Sequence, residues 1–140
     1  MSSLQRSVGR RSVNEAVGDA SAILAPLFDE PGADVVAQYT GRIRILTVTL
    51  TEVVAQLAER GIDESDIRVI VARMNLRIEP YDFETALQAG MLRPETRHLG
   101  LGLGDRATIA YAILSGLPVL TADHAWERLS LTGLTVIPIR

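Results

Sequence analysis

Residues 101–123 read LGLGDRATIAYAILSGLPVLTAD, and this stretch decides the fold. A helical pattern covers Arg106 to Gly116, about 11 residues, which at about 1.5 Å each runs roughly 16 Å. Pro118 to Ala122 then reads as a strand of about five residues, and at about 3.3 Å each it climbs back over the same distance. Asp105 stands at the helix start and Asp123 at the strand end. A helix descending and a strand returning by an equal length bring both carboxylates to one edge of a sheet. That edge, outside the carboxyl ends of parallel strands, is where open α/β folds place their ligands. Two like charges brought together cost energy unless a cation or a proton lies between them. The stretch therefore predicts a metal site.

Two more acids fit the same arrangement. Asp19 follows 13–18 (VNEAVG), a candidate first strand, and precedes the apolar run Ala20, Ile23, Leu24, Leu27, Phe28. Glu52 lies just past a better strand, Ile43 to Val48, and opens a helix over Leu50 to Arg60 that Gly61 stops. Both are strand-to-helix junctions, which lie on one edge of a parallel sheet. Asp19, Glu52, Asp105 and Asp123 are thus expected to converge, and an oxygen-only set suits Mg²⁺ or Mn²⁺ rather than zinc. A local explanation competes at each position. Asp105 fits a plain N-cap, Thr49 to Glu52 fits a capping box, and Asp19 and Asp123 fit caps of the turns just after them. Capping, however, does not require four caps to face one edge.

Working outward, the elements alternate. Pro31-Gly32 ends the first helix, and Ala33 to Tyr39 reads as a short second one. Asp63 to Met74 carries Ile67, Ile70, Val71 and Met74 at helical spacing. Leu76 to Glu79 reads as a strand, Asp82 to Met91 as a helix capped by Asp82, and Leu134 to Ile139 as a strand that Pro138 confines to a sheet edge. The expected fold is a three-layer α/β/α sandwich with a mostly parallel sheet, one domain over residues 13–140. The Ser- and Arg-rich residues 1–12 are expected to form a disordered arm. The first strand is weak, because Asn14, Glu15 and Gly18 are poor strand residues, and Pro26 should kink the helix after Asp19. Gly100, Gly102 and Gly104 lack the GxGxxG spacing of a dinucleotide loop and read as a flexible approach to the helix.

Composition narrows the function. With no cysteine, disulfides, zinc–thiolate sites and thiol nucleophiles are excluded. No apolar run approaches the roughly 18–20 residues of a membrane span, so no membrane role is expected and the location read is cytoplasmic. A formal net charge of −3 argues against a broadly basic nucleic-acid binder. All 14 basic residues are arginine, which suits phosphate recognition, although a GC-rich coding bias accounts for it equally well. Arg106, beside Asp105, offers either a phosphate contact or an ion pair. His98 and His124 are the only histidines and are expected at the surface; Trp126 is expected to anchor the last helical turn.

The chain resembles a PIN-domain protein of the small toxin type, similar to the VapC ribonucleases of toxin–antitoxin pairs. The matching pieces are Asp19-Ala20-Ser21-Ala22-Ile23-Leu24, Leu50-Thr51-Glu52-Val53, Leu103-Gly104-Asp105-Arg106 and Leu117-Pro118-Val119-Leu120-Thr121-Ala122-Asp123. The resemblance implies that Asp19, Glu52, Asp105 and Asp123 form an acidic metal site, with Ser21 and Thr121 as supporting polar groups. It also implies RNA as substrate, endonucleolytic cleavage, a small antitoxin partner and a homodimer.

The acids define the chemistry. Without a Ser/His/Asp arrangement or a cysteine, hydrolysis needs a metal-activated water. Two other readings stand beside the nuclease. The fold could be kept with a weakened site, as an RNA- or protein-binding module; or Asp19 could be an aspartyl nucleophile of a phosphatase-like hydrolase, although it lacks the expected DxD pattern.

Overall fold

Among the described residues the chain forms five short strands, most of them apolar: β1 (Ala16–Gly18), β2 (Ile43–Leu46), β3 (Arg77–Glu79), β4 (Val119–Thr121) and β5 (Val136–Pro138). All pair in parallel, in the order β3-β2-β1-β4-β5. The structure, a computed structural model, describes residues 15–140. The arm at 1–12 and the first two residues of the expected first strand, 13 and 14, lie outside them. The parallel α/β reading of the sequence holds, and β5, with Pro138 in it, is an edge strand as expected.

Among the described residues seven helices connect the strands: α1 (Ala20–Leu27), α2 (Ala33–Ala37), α3 (Thr47–Glu59), α4 (Glu64–Arg73), α5 (Phe83–Met91), α6 (Arg93–Thr96) and α7 (Leu103–Ser115). Asp63 and Asp82 cap α4 and α5, accepting hydrogen bonds from the Asp66 and Thr85 amides at 3.0 and 2.9 Å. Gly116, at φ 70, takes the left-handed conformation that ends α7 without a side-chain penalty. One sheet face packs Ala16, Ile43, Ile45 and Leu120 against Ile23, Val36, Val53, Leu57 and Ile67 of α1 to α4. The other packs Val17 and Val119 against Ile109 and Ala112 of α7 and against Trp126, which a 3-10 turn at His124–Arg128 holds 1% exposed. Trp126 is therefore a core anchor.

Two sequence expectations change. The first strand is shorter than 13–18, and Glu15 stands outside it, bridging Arg44 of β2 (2.7 Å) and Arg77 of β3 (3.1 Å). A three-residue strand suffices because both its neighbours pair with it and it is wholly buried. Gly18 sits in a tight place there, since a Cβ would lie 3.0 Å from Ile23 Cδ1 and 3.2 Å from Ile43 Cγ2, and both side chains would have to give by a few tenths of an ångström. Pro26 falls in the last turn of α1, where its missing amide removes one hydrogen bond near an end that Phe28 closes.

Candidate functional site

In the strand order, β1 lies between β2 and β4, and the chain leaves β1 towards β2 while β4 is reached much later. The crevice beyond the carboxyl ends of β1 and β4 is thus a topological switch point, the place where open α/β sheets bind ligands. Asp19 follows β1 directly, and Asp123 stands two residues past β4. Asp105 lies in the first turn of α7, which runs down to β4, and Glu52 in the second turn of α3, which follows β2. All four acids belong to this edge.

Asp19 is 5% exposed and held from both sides. Its Oδ1 accepts hydrogen bonds from Ser21 Oγ at 2.6 Å and from the Ala22 amide at 2.9 Å, and its Oδ2 accepts one from Thr121 Oγ1 at 2.5 Å. The two hydroxyls also accept: Ser21 Oγ from the Ala122 amide at 2.9 Å, Thr121 Oγ1 from the Asp123 amide at 3.0 Å. A hydroxyl has one proton. With the backbone amides donating into both oxygens, each hydroxyl turns that proton to Asp19, so the ring serves an ionised carboxylate. Burial still pushes the Asp19 pKa above the ordinary carboxylate value, and the charge of Asp123 adds to it, against the three hydrogen bonds. Asp19 does cap α1, as the local reading has it, but with one oxygen only.

Glu52 and Asp105 change roles relative to the simplest reading. α3 begins at Thr47, three residues earlier than expected, so no capping box spans Thr49 to Glu52 and Glu52 makes no cap. The run Thr47-Val48-Thr49 has strand propensity, but β2 pairs only to Leu46, and Thr49 turns inward to meet Thr108 of α7 at 3.3 Å, both 1% exposed. Likewise α7 begins at Leu103 with Gly102 as its N-cap, so Asp105 is third in the helix; its Oδ2 accepts the Gly102 amide at 3.2 Å. The glycine stretch is the cap and first turn of α7, not a flexible approach, with Leu101 buried beneath it.

The Glu52 carboxylate lies over Gly104: a Cβ built on Gly104 would collide with Glu52 Oε1. Glu52 is exposed as a residue, yet its carboxylate end is partly desolvated there. That desolvation, then the charges of Asp105 and Asp19, raise its pKa. Burial likewise raises Asp105, opposed by the Gly102 amide and by Arg106, with Asp19 and Asp123 adding to the rise. Asp123 accepts the Ala125 amide at 2.9 Å and so caps the 3-10 turn after β4. Among the described residues no cation pairs with any of the four acids. Arg106 forms no ion pair there; its Nε points to the Gly102 carbonyl at 3.3 Å. His124 is exposed, and its Nδ1 lies 3.6 Å from Glu127.

The donor set is all carboxylate, with no histidine or thiol, which is the chemistry of a hard divalent cation. Among the described residues no three such groups are spaced to hold one ion as the side chains stand. Part of each set is otherwise engaged: Asp105 Oδ2 and Asp123 Oδ1 serve amides, and Asp19 accepts three bonds. Both Glu52 oxygens, Asp105 Oδ1 and Asp123 Oδ2 accept no hydrogen bond among the described residues, and these leave room for an ion.

A family model for the PIN domain matches residues 16–131. The chain belongs to the PIN domain family. Its fold is similar to that of solved structures: a toxin–antitoxin complex from Klebsiella pneumoniae (TM-score 0.70, 18% identity, 90% of this chain and 98% of that one) and a DNA-bound VapBC from Salmonella typhimurium (0.69, 22%, 90% and 98%). VapBC-5 from Mycobacterium tuberculosis is similar at TM-score 0.58 and 22% identity, over 89% of this chain and 98% of that one. A comparison with curated proteins gave no match. Within this PIN domain, sequence reasoning missed Gly104 and the Thr49–Thr108 pair. Gly104 was legible only as the glycine before Asp105; the threonines carried no signal beyond β-branching.

Proposed function

We propose that this PIN domain is a metal-dependent endoribonuclease, the toxin of a toxin–antitoxin pair. One observation carries the reading: four carboxylates from four separate chain segments lie on the switch-point edge, none of them in an ion pair among the described residues, and burial, with one another's charge added, holds three of them above their ordinary pKa. A protein keeps such repulsion where a ligand relieves it. Asp19, Glu52, Asp105 and Asp123 are the residues to hold Mg²⁺ or Mn²⁺. When bound, the ion supplies Lewis acidity towards a phosphodiester and a water ionised near neutral pH. Ser21 and Thr121 keep Asp19 ionised and fixed in direction, which is the work of outer-shell groups around metal ligands.

The neighbours of similar fold were solved as toxin–antitoxin complexes, one of them on DNA. They support an antitoxin as partner for this chain, and RNA is the substrate that a toxin of this family would cut. A homodimer is supported by an apolar stripe on the paired helices α5 and α7: Phe83, Leu87, Met91 and Leu114 are all at least 47% exposed. No described helix is long and apolar enough to cross a membrane.

A second reading, a PIN-fold binding module without catalysis, is favoured by the spacing of the acids, which forms no ready ion site as the side chains stand. RNA cleavage by the purified protein with Mg²⁺, with Mn²⁺ and with EDTA, beside Asp105→Asn, separates the two. Asn keeps an acceptor for the Gly102 amide, so that variant should fold and lose cleavage. Metal-dependent cleavage that survives in it removes Asp105 from the site, and no cleavage of varied RNAs under any condition leaves the binding module.

A further inference from the structure

We infer that Gly104 is a positioning residue: its missing side chain is the seat into which the Glu52 carboxylate descends to reach Asp105. The inference rests on the metal-site reading above and adds a part to it. Gly104 sits second in α7 with an ordinary backbone conformation, so no turn or strain explains a glycine there. Helix propensity argues against it, since glycine is the least favoured residue in a helix after proline. What a Cβ would meet is specific. Glu52 Oε1 falls inside contact distance, with Glu52 Cδ at 2.8 Å and Oε2 at 3.2 Å, and nothing else lies among the nearest atoms. The obstacle is the end of a flexible side chain, so a larger residue would move the carboxylate and leave the fold alone.

An independent contact sets the register that makes the seat useful. Thr49 stands three residues before Glu52, and Thr108 three residues after Asp105. Their hydroxyls meet at 3.3 Å in the buried seam between α3 and α7. Two buried hydroxyls with no other side-chain partner satisfy each other or remain unsatisfied, so the pair pins the two helices at this level. One turn above the pin, Glu52 faces the first turn of α7, where only a glycine lets it close on Asp105. The pin fixes the helices, and the glycine fixes the carboxylate.

The test is Gly104→Ala, with Mn²⁺ binding read by titration of the free ion's paramagnetic resonance and folding read by thermal melting. The melting temperature should stay or rise, because alanine favours the helix. The Mn²⁺ dissociation constant should rise about tenfold or more, the usual effect of disturbing groups that orient metal ligands. Glu52→Asp retracts the carboxylate by about 1.5 Å. It should weaken Mn²⁺ binding in the wild type but not further in Gly104→Ala, since the shorter side chain clears the new methyl. Wild-type Mn²⁺ affinity in Gly104→Ala, or two losses that simply multiply, overturns the inference. If the wild type itself binds no Mn²⁺, the metal reading fails, and metal-free crystal structures decide on Gly104 alone. A Glu52 carboxylate displaced from its seat in Gly104→Ala supports the inference; one that remains in place over the introduced methyl overturns it.

Discussion

Thr121→Val tests whether the ring around Asp19 is what holds the edge of the sheet together. Valine has nearly the same shape, and Thr121 is 1% exposed, so the change isolates the hydroxyl. Losing a hydrogen bond to a charged group costs about 1.5–3 kcal/mol, and leaving the part-buried Asp123 amide without its acceptor adds about 1 kcal/mol. Burying a methyl in place of the hydroxyl returns about 0.8 kcal/mol. The net loss is about 2–3 kcal/mol at neutral pH, a fall in Tm of about 6–9 °C at about 3 °C per kcal/mol for a chain of this size. The pH dependence has a definite sign. The hydroxyl serves the ionised Asp19, so its removal raises the folded-state pKa further. The penalty is then full above that raised pKa and shrinks as pH falls through it, because a protonated Asp19 no longer needs the donor. Urea unfolding of both proteins at neutral and at acid pH measures this directly. A penalty below about 1 kcal/mol, or one equal at the two pH values, would refute the account of Asp19 as a carboxylate held by its hydroxyls.

Three further outcomes are expected. Glu52→Gln should abolish Mn²⁺ binding and RNA cleavage while leaving metal-free stability at neutral pH unchanged or higher, since the carboxylate accepts no hydrogen bond among the described residues and is raised by burial and by two neighbouring charges; a large stability loss by denaturant titration would return Glu52 to a structural role. Without metal, Asp105→Asn should be more stable than the wild type at neutral pH, with the gap closing on acidification. A raised carboxylate makes the native state bind more protons than the unfolded one between the two pKa values, so wild-type stability is lost as pH rises through that window; a variant less stable at neutral pH contradicts the repulsion. Phe83→Ser with Met91→Ser, at positions 80% and 66% exposed, should convert a dimer to a monomer by light scattering while leaving the melting of the monomer unchanged within about 0.5 kcal/mol; an unchanged dimer places the contact elsewhere.

The sequence was most legible in the order and type of its elements. The succession of α7 and β4 and the parallel sheet follow from apolar patterning, whereas the lengths expected to match do not, since α7 spans Leu103–Ser115 and β4 only Val119–Thr121. Element starts were less legible. Thr47-Val48-Thr49 reads as strand by propensity and folds as helix because a buried partner, Thr108, rewards Thr49 for turning inward. The glycines at 102 and 104 look alike in sequence, yet one caps a helix and the other makes room for a side chain that starts 52 residues away. Asp19 looks poorly placed behind a weak strand; its hold comes from Thr121, a hydroxyl 102 residues distant that no local pattern announces. Capping does not use up the acids, since Asp19, Asp105 and Asp123 each spend one oxygen on a cap or helix start and keep another free or shared at the edge.

That long span between Asp19 and Thr121 has a consequence for when the edge of the sheet takes its form. Every acid but Asp123 is synthesised before β4, yet Asp19 has no Thr121 to close on until the strand beside it is made. Contacts so distant along the chain form after local ones, because loop closure must come first. A nascent or truncated chain therefore carries the carboxylates without the site.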